Sequence, residues 1–278
     1  MVPRRYRVFL WAGPPIFLTW LMAALLHEYP QDDVREIIFI AVFWGTMFGH
    51  TTLAATWSAF GPAPLIVRLP LSMAWVAMLS VAIFINLQIT GGPPELALII
   101  GACLFGQWLF LQLPMWGLAI GLGLRLNHRD DVARLGQEQL QFTIRQLLAV
   151  TTIVAVLVGI GRMALPVVIQ NGSGVMIFAF LAGAEVILTL PLVLAALLRR
   201  FAVPGVLVAL VLIAVATVGE MRLFQTMSSG LSVRFPVLIA ANSGTVLVML
   251  LVLTIVRLNG YSLCRCRSAA SRLPAASG

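Results

Sequence analysis

His50, Gln107, Glu185 and Asn242 each stand inside a long apolar run, in "MFGHTTLAA", "LFGQWLFL", "LAGAEVILTL" and "LIAANSGTVLV". Burying such a group in hydrocarbon costs at least a few kcal/mol unless a partner offsets it, so each is a candidate for function. His50 and Glu185 fall near the middle of their runs, and Gln107 and Asn242 somewhat off centre. An imidazole facing a carboxyl can take up and release a proton, the kind of element that proton-coupled transport uses. The alternative is packing: each group hydrogen-bonds a neighbouring helix and holds it in place.

Other chemistry finds little support. The three histidines, His27, His50 and His128, fall in different regions, and neither an H-E-x-x-H zinc motif nor a G-x-x-x-x-G-K-[ST] phosphate loop is present. Ser173 in "NGSG" and Ser243 in "ANSGT" have no partnered base, so they read as turn or helix-packing residues. Cys103 lies in an apolar run, while Cys264 and Cys266 form a "CRCR" stretch that reads as reduced cytosolic thiols rather than a disulfide framework. The expectation is therefore a noncatalytic protein with no metal and no cofactor.

The elements that would position these groups follow from composition. The chain is 60% hydrophobic and 10% charged, with mean hydropathy +1.00, whereas soluble domains are roughly 45–50% apolar and about a quarter charged. A soluble fold could not cover its surface with so few polar groups, so the apolar surface must meet lipid. A bilayer core needs about 20 apolar residues per helix. Runs of that kind span 8–26, 37–60, 69–89, 96–120, 147–168, 175–198, 203–219 and 236–256. Turn formers and charge separate them, as in "HEYPQDDVRE", "GPAP", "TGGPPE", "QNGSG" and "RRFAVPG". The expected fold is an all-α, polytopic bundle of about eight transmembrane helices.

All 18 basic residues are Arg, giving a net charge of +8. Their placement is a topology signal, because short cytoplasmic loops retain basic residues and translocated loops shed them. Arg4, Arg5, Arg7, Arg68, Arg125, Arg129, Arg134, Arg145, Arg199, Arg200, Arg257, Arg265, Arg267 and Arg272 fall on one side of the eight-span scheme. Only Arg35, Arg162, Arg222 and Arg234 fall on the other. That asymmetry puts both termini in the cytosol, makes anionic lipid headgroups the partners of the basic side, and leaves nucleic acid unneeded. Tyr6, Tyr29 and Tyr261 flank expected spans, where a ring can rest in the headgroup layer. Arg68 and Arg162 can snorkel from helix ends, and Glu220 with Arg222 reads as solvated beside an extracytoplasmic loop. The basic start "MVPRRYR" resembles a signal peptide, but its apolar run is too long and lacks an A-x-A site, so an uncleaved span is expected.

The chain divides into a four-helix membrane half (1–124), a cytosolic amphipathic connector (125–145), a second four-helix half (146–260) and a basic flexible tail (261–278). Val132, Leu135 and Leu140 form the apolar side of the connector, and no internal repeat relates the halves. In the long fourth span Pro114 is expected to kink the helix. Beyond it, the Gly117-x-x-x-Gly121 spacing is expected to pack within the molecule. Prolines 14, 15 and 191 similarly interrupt other spans.

At the fifth span, Thr143 and Gln146 have capping-box spacing, Phe142 and Leu147 can staple the same turn, and Arg145 marks the cytosolic surface. This stretch, "FTIRQLLAVTTIVAVLVG", resembles a helix start with the pattern Phe, Ser/Thr, aliphatic, Arg, any residue, Leu, Leu in multi-pass proteins of planctomycete-type bacteria. "LAATWSAFGPAPLIVRLPL", with Trp57, Gly61, Pro62 and Arg68, is similar to a second pattern in those proteins. The resemblance implies a bacterial inner-membrane protein and no particular activity. Two functions remain in view: a noncatalytic role in helix packing or partner binding, and a small proton-coupled transporter using His50 and Glu185.

Overall fold

The computed structural model describes residues 33–89, 94–122, 124–128, 172–197, 202–227 and 235–265. Six helices account for most of them: α1 (Asp33–Phe60), α2 (Leu65–Ile89), α3 (Pro94–Gly121), α4 (Gly172–Leu197), α5 (Ala202–Met227) and α6 (Phe235–Leu258). They match the second, third, fourth, sixth, seventh and eighth apolar runs. The first and fifth runs, the capping box at Thr143, the connector beyond His128 and the tail beyond Arg265 lie outside the described residues. Three stretches, Leu65–Ile85, Leu98–Gly121 and Leu238–Leu258, are long and apolar enough to cross a membrane.

Outward faces carry the same character. Leu207, Leu210, Val211, Val215 and Val218 follow helical spacing along α5 and are exposed, as are Leu113 on α3 and Leu247 on α6. Water-soluble monomers rarely present apolar stripes of this extent. Helices α2, α3 and α4 run on through Pro70, Pro114 and Pro191 without a break in helical assignment.

Helix α1 is the centre of the bundle. It packs most extensively on α6 and next on α3, with α2 on its remaining side, while α4 packs on α5 and contacts α3 and α6. The intimate contact is made by glycine: a Cβ on Gly45 would lie 2.3 Å from the backbone carbon of Gly244 and 2.6 Å from its Cα. One turn on, Gly49 faces Val248. The close-packing glycine pair is thus Gly45 and Gly49, not Gly117 and Gly121, at which an added Cβ would meet nothing within 4 Å. The reason is rotational position: Gly117 and Gly121 lie on the outward face of α3, and spacing alone does not say which face a motif occupies.

Thr51, Thr52 and Thr56 can be buried in α1 because each hydroxyl donates to the carbonyl one turn back, on Met47 (2.9 Å), Phe48 (3.0 Å) and Thr52 (2.8 Å). Helix α1 ends at Gly61, whose N–H still reaches the Trp57 carbonyl at 2.8 Å.

The fold is not wholly helical. Two strands, β1 (Leu124–His128) and β2 (Tyr261–Arg265), follow α3 and α6 and pair antiparallel, with Leu126 opposite Leu263 and Arg125 opposite Cys264. Gly260, with φ of 85°, makes the turn from α6 into β2, a left-handed conformation that glycine adopts without penalty. Residues expected to begin an amphipathic helix and a flexible tail therefore form an ordered ribbon. Period-two alternation is the cause: Leu124, Leu126, Leu263 and Tyr261 are buried and join the bundle core, which gives an otherwise marginal two-stranded pair its support. Tyr261, expected in the headgroup layer, is consequently only 6% exposed. The ribbon links the C-terminal ends of α3 and α6, which enter it from opposite ends.

Candidate polar site within the helix bundle

All four candidate residues are buried, and three of them bond across to another helix. On α3, the Gln107 Nε2 donates to the Thr52 hydroxyl at 3.1 Å and to the Phe48 carbonyl at 3.3 Å, both on α1. Its Oε1 has no hydrogen-bond partner. On α6, the Asn242 Nδ2 donates to Glu220 Oε2 at 2.9 Å and to the Thr217 hydroxyl at 3.0 Å, both on α5. The two amide hydrogens suffice for both bonds.

Glu185 on α4 meets α6 as well, but less closely. The Thr245 hydroxyl lies 3.5 Å from Glu185 Oε1 and 3.1 Å from the Ala241 carbonyl. A hydroxyl has one proton to donate, so the shorter contact holds it and the longer one is weak. Glu185 Oε2 is buried with no partner. One turn along α4, Thr189 donates to the Glu185 carbonyl at 2.6 Å.

His50 stands apart from this group. It is fully buried on α1, its ring centroid is 6.1 Å from that of Trp75 on α2, and neither ring nitrogen has a hydrogen-bond partner. The structure therefore does not join His50 to Glu185. The physical reason lies on α1: its glycine face is given to α6, and His50 lies instead beside the α2 tryptophan.

Glu220 takes the place in the network that His50 was expected to fill. Expected in solvent, it is 2% exposed and bonded to Asn242. The difference arises because α5 continues to Met227, eight residues past the end of the apolar run. "EMRLFQTM" contains good helix formers and no breaker, so the helix outlasts the hydropathy signal. Thr217, Glu220, Asn242 and Thr245 then fall as two i, i+3 pairs on facing helix surfaces. That paired spacing was the available signal for Glu220, Thr217 and Thr245.

The other sequence candidates do not converge. Ser173 lies in α4 and Ser243 in α6, His128 is on β1 opposite Tyr261, and Cys103 is a free thiol on α3. Among the described residues no group of three His, Cys, Asp or Glu side chains could hold a metal ion. The arrangement offers interhelical hydrogen bonding and two buried carboxyls on adjacent helices. Comparison with protein-family models, with curated proteins and with solved structures finds no match for this chain.

Proposed function

We propose that this chain is an eight-span, noncatalytic protein of the bacterial cytoplasmic membrane, both termini cytosolic, whose buried polar side chains hold its helices together in contact with anionic lipid. The observation that carries the reading is that Gln107, Asn242 and Glu185 each contact a polar group on a different helix. Interhelical hydrogen bonds of this kind contribute about 0.6 kcal/mol each on average in membrane bundles.

The strand pairing supports the span count by parity. Since β1 and β2 put the ends of α3 and α6 on one side, and short connections make α4, α5 and α6 alternate, α4 must begin on the opposite side from the end of α3. An odd number of crossings between His128 and Gly172 fits this reading, and the fifth apolar run of the sequence can supply one. Carried back through α1 and the first apolar run, the same alternation supports the reading that both termini share the side richer in Arg. The resemblance at 53–71 and 142–159 supports a bacterial source. With Cys103, Cys264 and Cys266 replaced by serine, single cysteines introduced at Ser268 and near Met1 test the orientation: both should react with a membrane-impermeant maleimide only after the cells are opened. Reaction of either tail in intact cells refutes it.

A second reading, proton-coupled transport, is favoured by one observation: Glu185 Oε2 is buried without a partner while Glu220 lies on the adjoining helix, both attached to the Asn242–Thr245 face of α6. A proton on Glu185 would let that carboxyl donate to Thr245, completing the contact that the hydroxyl's single proton leaves weak. Proteoliposomes decide between the two readings. Under noncatalytic packing an imposed pH gradient drives no flux, and Glu185→Gln behaves as wild type. Under transport the wild type shows pH-driven uptake that Glu185→Gln abolishes.

A further inference from the structure

A cavity of about 40 Å³ opens where the start of α2, the end of α3 and β1 meet, lined by Arg68, Arg125, Trp116, Ala119 and Ile120 among others. Since one water takes about 10–15 Å³ on this scale, the space admits roughly three waters or a phosphate group of similar bulk. Its lining carries two arginines and a tryptophan. Arg68 Nη1 donates to the Gly61 carbonyl at 2.7 Å, whereas Arg68 Nε and Trp116 Nε1 are buried with no acceptor. Arg125 adds a second guanidinium, and among the described residues no acidic side chain lines the cavity. Buried donors without acceptors are destabilising, so the site is complete only with an anion that accepts several hydrogen bonds.

The surroundings specify which anion. Ile120, which lines the cavity, is 54% exposed, and Leu113 two turns below it on α3 is 71% exposed. Between them Gly117 and, beyond, Gly121 leave open space where side chains would stand. The outward face of α3 is therefore a shallow apolar channel leading to a cationic cavity. We infer that this cavity binds the phosphate of an anionic phospholipid headgroup, held by Arg68, Arg125 and the Trp116 N–H, with an acyl chain lying along the glycine face of α3. The inference rests on the reading above that this end of the bundle meets the cytosolic headgroup layer, where basic pockets between helices recruit such lipids.

The test is the thermal stability of the purified protein in neutral detergent, titrated with phosphatidylglycerol, phosphatidylcholine or inorganic phosphate. Phosphatidylglycerol should raise Tm saturably, and phosphatidylcholine and inorganic phosphate should not. Trp116→Phe, which removes the indole N–H together with part of the ring, and Arg125→Gln should each weaken the phosphatidylglycerol response on the order of tenfold. Ala119→Leu, which fills the cavity and keeps both arginines, should abolish it, so the test survives if Arg125→Gln fails to fold. Equal responses to both lipids, or an unchanged response in Trp116→Phe and Ala119→Leu, overturn the inference. A full response to inorganic phosphate alone overturns the lipid assignment and leaves a free-phosphate site. If instead the tail cysteines label in intact cells, it is the membrane orientation that fails, independently of these titrations.

Discussion

Replacing Gly45 with alanine should damage this bundle more than its single added methyl suggests. The new Cβ would lie 2.3 Å from the carbonyl carbon of Gly244 and 2.6 Å from both Gly244 Cα and Thr245 N. Carbon atoms pack at about 3.5–4.0 Å, so α1 and α6 must part by on the order of 1 Å. The obstacle is backbone and cannot rotate aside, which places the cost near the upper end of the overpacking range, about 3 kcal/mol. Alanine recovers about 0.8–1 kcal/mol in helix propensity, leaving a net loss of about 2 kcal/mol. Parting the helices also moves Thr245, which sits at the crossing and contacts Glu185. Gly117→Ala is the matched control, because its Cβ would meet nothing within 4 Å, and propensity alone predicts stabilisation by up to about 1 kcal/mol. Reversible unfolding in mixed micelles with increasing dodecyl sulfate, followed by circular dichroism, measures both. The reasoning is refuted if the two substitutions change stability with the same sign, or if Gly45→Ala lies within about 0.5 kcal/mol of wild type, the usual scatter for inert surface changes.

Asn242→Leu removes the amide that serves both Thr217 and Glu220 and leaves that carboxyl buried without its donor; the same unfolding assay should show a loss of about 1–3 kcal/mol. Gln107→Leu should cost less, about 0.6 kcal/mol, and a reversed order would count against the network. Arg125→Cys should form a disulfide with native Cys264, its partner in the ribbon, since Cα separations of about 4.5–5.5 Å across antiparallel strands suit the bond. Mild oxidation followed by proteolysis between the halves should leave the fragments joined, while His128→Cys, opposite Tyr261, should leave them separate. Gly260→Val, forced to φ of 85°, should lose about 1–2 kcal/mol and slow formation of that cross-link.

Hydropathy was sufficient to locate six of the helices to within a few residues at most ends, because a run such as that in α2 or α6 has no stable place except inside lipid or a bundle. It was equally sufficient to single out Gln107, Glu185 and Asn242, whose burial follows from lying within such runs. Where hydropathy ended it misled: α5 continues through "EMRLFQTM", and Glu220 is carried inward with it. Charge marks where an apolar run stops; helix propensity decides where a helix stops.

Sequence by itself determined the membrane character and the inventory of buried polar groups, since both depend on how many apolar residues surround each position. Pairing was decided only by the tertiary structure. That His50 rests against Trp75 rather than Glu185, that Gly45 and not Gly117 meets another backbone, and that Leu126 finds Leu263 across the chain all depend on how each helix is rotated about its axis. On a helix apolar on every side, periodicity leaves that rotation undefined. Contact with the neighbouring elements supplies it.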